Sequence, residues 1–173
     1  MDLGATVCTP KSPDCGGCPL KAVCVAARAG EAGRYPVKAA RKPRPVRHGM
    51  VFWARLSDGR VLLRQRPEKG LLGGMTEIPS TEWRDRKWSL GEAAAKAPIT
   101  AKWRPLEGVI RHTFTHFHLE LTVLTAETKN SRKNGGPKGS LWCLPSKFPD
   151  HALPTVMKKI ARHVAEFDDS YSS

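Results

Sequence analysis

The chain has 173 residues, of which 40% are hydrophobic, enough for one packed domain with at most a small appendage. Its opening, Met1-Asp2-Leu3-Gly4, has neither the basic segment nor the apolar core of a secretory signal, and no run of about 18 apolar residues offers a membrane span. A cytoplasmic protein without membrane contacts is expected, and its formal charge of +13 suits a polyanionic partner, because each neutralised phosphate releases condensed counterions.

The first 27 residues are dominated by cysteine. The total of five is odd, and without an export signal a disulfide framework is not expected. Cys143 stands alone and reads as a small buried hydrophobe. The other four follow the spacing Cys8-x6-Cys15-x2-Cys18-x5-Cys24, with a short helical run expected from Pro19 to Arg28. Structural zinc usually takes two Cys-x-x-Cys knuckles a dozen or more residues apart, and only one such pair is present. Four thiolates in one compact run better suit a [4Fe–4S] cube, whose irons each need one thiolate; zinc and unrelated thiols are the weaker readings.

From Arg28 to Arg47, seven basic residues (Arg28, Arg34, Lys38, Arg41, Lys42, Arg44 and Arg47) face one acid, Glu31. Such a strip is closer to a nucleic-acid footprint than to the solvated face of a generally basic protein. Pro36, Pro43 and Pro45 block regular helix here, so residues 28–47 read as an extended connector.

From His48 onward the texture is that of a compact α+β domain. Met50–Leu56 and Arg60–Arg66 are strand-like runs joined by Ser57-Asp58-Gly59, a hairpin signal. The glycine-rich turn Gly70-Leu71-Leu72-Gly73-Gly74 leads to a short strand at Met75–Ile78, and Leu90–Ala97 is helical. Gly108–Thr125 holds the longest strand signal, Lys129–Gly139 is a polar loop, and Gly139–Leu144 is a further strand. In the last element, Pro154 to Phe167, Val156, Ile160, Val164 and Phe167 share one helical face, with Lys158, Lys159, Arg162 and His163 on the others.

The segment His112-Thr113-Phe114-Thr115-His116-Phe117-His118-Leu119 is the most informative of this part. Run as one strand, it places Phe117, Leu119, Leu121 and Val123 on a core face. His112, Phe114, His116, His118 and Glu120 then occupy the other face, where an exposed Phe114 could stack on or wedge between bases. A metal site built from the alternate histidines, or a merely polar sheet face, are the competing readings.

The four-cysteine spacing resembles that of the endonuclease III and MutY glycosylases, and Asp2-Leu3-Gly4-Ala5 and Cys18-Pro19-Leu20 are similar to MutY in particular. The resemblance implies a [4Fe–4S] cluster on Cys8, Cys15, Cys18 and Cys24, in a loop that meets the DNA backbone with Lys11 as its phosphate contact. Phe114-Thr115-His116 resembles the Phe-Ser-His loop with which MutY proteins recognise 8-oxoguanine, threonine here replacing serine. Arg64-Gln65-Arg66-Pro67, Gly70–Gly74 and Glu77-Ile78-Pro79 resemble the opening of a Nudix domain, which raises a rival, a Nudix pyrophosphohydrolase acting on nucleotides. That chemistry needs several carboxylates on one helix to hold magnesium, and Trp88 to Thr100 offers only Glu92.

The resemblance thus implies an α+β fold: a Nudix-like mixed β-sheet with flanking helices, preceded by a small four-cysteine iron–sulfur segment. It divides the chain into a cluster segment at 1–27, a basic connector at 28–47 and an 8-oxoguanine recognition domain at 48–173. Expected contacts are Phe114, Thr115 and His116 with the damaged base, and Lys11, Arg41 and Lys42 with phosphates. The expected partner is double-stranded DNA carrying 8-oxoguanine opposite adenine, bound by a monomer. In the family the catalytic carboxyl groups belong to a helical domain ahead of the cysteines. With the first cysteine at residue 8, the chain is expected to be a fragment or a truncated frame without a catalytic residue of its own. A purely structural or redox role for the cluster is a third reading.

Overall fold

The computed structural model describes residues 2–37, 43–129, 136–137 and 139–170. It divides into two compact units, Met1–Pro43 and Arg44–Ser173, each taken by itself below. Arg41 and Lys42, assigned above to phosphate contact, lie outside the described residues.

The first unit is small and built from turns. Helix α1 (Asp2–Thr6) delivers Cys8, whose amide bonds to the Leu3 carbonyl at 2.6 Å. The expected helix from Pro19 to Arg28 shrinks to α2 (Val25–Arg28), because residues 19–23 form turns and Cys24 caps the helix instead of entering it. The Cys24 Sγ accepts the Ala27 amide at 3.4 Å, the role a short polar side chain has at an N-cap.

The second unit is a seven-stranded mixed sheet. Its strands are β1 (Val46–Leu56), β2 (Val61–Gln65), β3 (Thr76–Glu77), β4 (Arg104–Pro105), β5 (Ile110–Thr113), β6 (His118–Thr128) and β7 (Ser140–Cys143). The order is β3-β2-β1-β6-β4, with β5 also on β6 and β7 also on β2. At the centre β1 and β6 run parallel, from Val46 opposite His118 to Leu56 opposite Thr128; the other pairs are antiparallel.

Both faces of the central strands are covered, which explains the uninterrupted apolar run Met50–Ala54. Val51 and Trp53 join Leu119, Leu121 and Val123 against helix α4 (Thr155–Ser170), through Val156, Met157, Ile160 and Val164. Met50 and Phe52 pack on the opposite side against Leu124 and Ala93 of α3 (Leu90–Ala94). Phe52 is fully buried, and removing a side chain of that size from water is worth about 1.5–3 kcal/mol.

Local chemistry sets the joints. Gly59, at φ +85°, lets the β1–β2 connection reverse tightly, while Asp58 accepts the Arg60 amide at 3.1 Å. Helix α3 begins with a reciprocal pair in which Ser89 and Glu92 each bond the other's backbone amide. It is shorter than the alanine-rich stretch 90–97 implied. Segment 79–84 covers the flank of β1 that β2 leaves open, with amide bonds from Phe52 to Pro79, Thr81 to Met50, and His48 to Arg84 in both directions.

Candidate nucleic-acid interface

The histidine segment is two strands, not one. Strands β5 and β6 form an antiparallel hairpin in which Thr113 faces His118, His112 faces Leu119 and Ile110 faces Leu121. The chain turns through Phe114–Phe117, closed by the Phe114 amide on the Phe117 carbonyl at 2.9 Å. Directly opposed residues share a face, so the turn resets the alternation expected of one continuous strand. His112 and Phe114 therefore lie on the core side with Phe117 and Leu119, while Thr113, His118 and Glu120 take the other. The core stripe of Phe117, Leu119, Leu121 and Val123 is buried as expected.

Phe114 is accordingly not an exposed wedge. It is half-buried, with ring centroids 4.9 Å from Phe117, 4.6 Å from His112 and 5.6 Å from Trp83. Thr115 and His116 form the tip and are exposed. Desolvation by this packing lowers the pKa of His112, helped by the positive charge of Lys159. On the other face the Thr113 hydroxyl and His118 Nδ1 lie 2.9 Å apart, and Glu120 meets Arg111 at 3.1 Å and His48 at 3.5 Å.

Cations frame the hairpin. The Arg47 guanidinium sits 4.7 Å over Phe117, and that of Arg66 lies 5.2 Å from the Trp83 ring. Arg66 and Arg64 both bind the carboxylate of Glu77, which is 1% exposed; the Arg64 contact measures 2.7 Å. Sequence reasoning passed over Trp83, since a lone tryptophan carries no motif, and it named Arg64, Arg66 and Glu77 in the Nudix-like opening without pairing them.

The rival chemistry would centre on Glu92. Its carboxylate meets Arg84 at 2.8 Å and Arg86 at 2.7 Å besides closing the α3 cap. The Ser89 amide, followed by the Arg84 guanidinium, pulls its pKa down to about 2. Glu92 is thus tied into structure by its neighbours.

In the first unit, Cys8, Cys15, Cys18 and Cys24 line one cavity of about 70 Å³, with Val7, Ala27 and Tyr35 among its apolar walls. Among the described residues no three His, Cys, Asp or Glu side chains converge tightly enough to hold a single metal ion. Four thiols around one cavity with apolar walls are the donor set that a four-iron cluster takes, one for each iron. Asp14 accepts the Gly17 amide at 3.1 Å and brings Cys15 and Cys18 round a tight turn; a Cβ at Gly17 would meet Asp14 Oδ2 at 2.8 Å. When bound, the cluster ties these four points into one covalent frame. Lys11 is exposed on the loop between Cys8 and Cys15, where the Thr9 hydroxyl bonds the Ser12 carbonyl at 2.6 Å. Cys143 is buried in the second unit, and burial pushes its thiol pKa up.

These features agree with known proteins. Residues 50–163 match the NUDIX domain, and residues 8–24 match the iron–sulfur binding domain of endonuclease III. The chain belongs to the Nudix domain family and carries an iron–sulfur segment ahead of that domain. Its relatives include adenine DNA glycosylases: the human protein is 28% identical over 94% of this chain, and that of Buchnera aphidicola 25% identical over 92%. The chain spans 39% of the human relative's length and 46% of the Buchnera one. Among solved structures, the C-terminal domain of mouse MUTYH, determined in complex with human PCNA, superposes with a TM-score of 0.55 at 23% identity, over 75% of this chain and 91% of that one. A MutT protein from Methanosarcina mazei superposes at 0.59 with 17% identity, over 77% and 100%. Both share the fold.

Proposed function

We propose that this chain is the DNA-gripping, damage-inspecting part of an adenine DNA glycosylase in base-excision repair, and that its Nudix-like domain recognises 8-oxoguanine opposite a misincorporated adenine. The observation that carries the reading is the hairpin tip. Thr115 and His116 are exposed on a turn whose foot is packed with aromatic rings, beside Arg47 and Arg66. Oxidised guanine differs from guanine by a carbonyl at C8 and a hydrogen on N7. A hydroxyl, which both donates and accepts, can sense that change of acceptor into donor.

Lys11, Arg41 and Lys42 would hold phosphates, the electrostatic part of binding that is blind to sequence. The acid chemistry that cleaves an N-glycosidic bond after base flipping is assigned to no residue of this chain. The pyrophosphohydrolase reading is less well supported, because Glu92 is the one carboxylate between Trp88 and Thr100 and it is engaged by two arginines and a helix cap.

The test is binding of the chain to two duplexes, identical except for 8-oxoguanine or guanine opposite adenine, over a range of salt. Tighter binding of the oxidised duplex supports damage recognition in this chain. Equal, salt-sensitive binding would leave a basic clamp and remove the hairpin tip from base reading.

A further inference from the structure

Trp83 belongs to none of the motifs above, yet it backs the hairpin turn. Its indole rests on β1 at Gly49, where a Cβ would come 2.8 Å from Trp83 Cδ1 and 2.9 Å from Leu121 Cδ2. Only a residue without a side chain leaves room for the ring there. Arg66 lies 5.2 Å from the Trp83 ring, itself held by the buried carboxylate of Glu77. Phe114 and Phe117 meet the indole at 5.6 and 6.3 Å. A chain of contacts therefore runs from Glu77 through Arg66 and Trp83 to the ring at the foot of the turn.

We propose that Trp83 is a positioning residue: seated on Gly49 and held by Arg66, it fixes the Phe114–Phe117 turn and so sets how finely Thr115 and His116 discriminate a base. This rests on the reading of the tip as a base-inspecting element. Thr115 and His116 are exposed, so the turn is defined from its foot, by the Phe114–Phe117 amide bond and the rings beneath it. Hydrogen-bond discrimination needs the donor held within about 0.5 Å, and a rigid supporting shell is what supplies that tolerance. Trp83 itself needs no contact with DNA.

The test uses the full chain and three variants, Trp83→Leu, Trp83→Phe and Gly49→Ala, with two readouts. The first is hydrogen exchange at the Phe114 amide relative to core amides away from Gly49, such as Ile160 of α4, which needs no DNA. The second is the ratio of Kd values for guanine and 8-oxoguanine duplexes. Trp83→Leu should speed relative Phe114 exchange and cut the ratio by about tenfold, with affinity for the guanine duplex changed less than about twofold. Trp83→Phe should restore most of both, and Gly49→Ala, displacing the ring from its other side, should reproduce the loss. If Trp83→Leu lowers Tm but leaves relative exchange unchanged, Trp83 is core filler and the proposal is wrong. If exchange rises while Trp83→Leu keeps the ratio of a wild type that discriminates, turn geometry does not set discrimination, and the proposal also falls. A wild type that does not discriminate sinks the damage-reading function instead, and Phe114 exchange alone then judges whether Trp83 fixes the turn.

Discussion

The rings of Phe114 and Phe117 face each other 4.9 Å apart beneath a turn whose two remaining residues point to solvent. This pairing separates the two tasks of the segment. The phenylalanines close the hairpin, and Thr115 and His116 are left to meet a ligand.

Thr115→Ala should therefore reduce preference for 8-oxoguanine while barely moving affinity for undamaged DNA. A neutral hydrogen bond is worth about 0.5–1.5 kcal/mol, so the Kd ratio should fall by roughly two- to tenfold in a binding titration. If affinity for both duplexes drops alike, Thr115 is structural.

Glu77→Gln should be costly. The change leaves Arg64 and Arg66 against a neutral amide at a site 1% exposed, and breaking a buried ion pair typically costs about 3 kcal/mol. Chemical denaturation should show a lower midpoint with an unchanged slope.

The α3 cap gives a dependence on pH. Glu92 titrates at about 2 in the folded chain, below its ordinary value. Its contribution is complete above the unfolded value and is lost as pH falls toward 2. The Tm gap between wild type and Glu92→Gln should narrow from pH 5 to pH 2.5; a constant gap would mean the carboxylate charge does not hold the cap. Ser89→Ala should cost about 1 kcal/mol as a lost N-cap.

His112 works in the same direction at higher pH. Burial lowers its pKa, so the unfolded chain takes up a proton first as pH falls below the ordinary histidine value near 6.5. Wild type should lose stability relative to His112→Gln on acidification from pH 7 toward 5, measured by thermal melts. The opposite slope would show that His112 is held protonated.

For the first unit, Cys18→Ser should reduce bound iron and the visible absorbance of an iron–sulfur protein, whereas Cys143→Ser should leave both intact. Equal loss in the two variants would break the assignment of the cluster to the N-terminal cysteines.

What was legible in the sequence was chiefly local. Ser57-Asp58-Gly59 carried the β1–β2 turn because glycine geometry is decided within a few residues. The helix face of Val156, Ile160 and Val164 was visible for the same reason, although Met157, equally buried, was not picked out. The spacing of four cysteines announced one shared centre, since all four had to reach it. The His112–Leu119 segment misled because alternation along a strand says nothing about where the chain reverses, and the reversal moved His112 and Phe114 to the core side. Trp83 was invisible because its neighbours Gly49, Arg66 and Phe114 come from three distant parts of the chain. Contacts made only by tertiary pairing leave no periodic trace.

The long pairing of β1 with β6 also bears on how the chain matures. Arg55 and Glu127, which meet across it, are 72 positions apart. During synthesis the apolar run Met50–Ala54 must wait for its neighbour until most of the domain has left the ribosome, and such non-local closure is slow. Until then the edge of β1 that β6 will cover stays open, and an open apolar edge invites association with other nascent chains. Arg47 and Arg55, bracketing the run, place like charges at both ends of it, the kind of flanking charge that opposes pairing of an apolar strand with its copies.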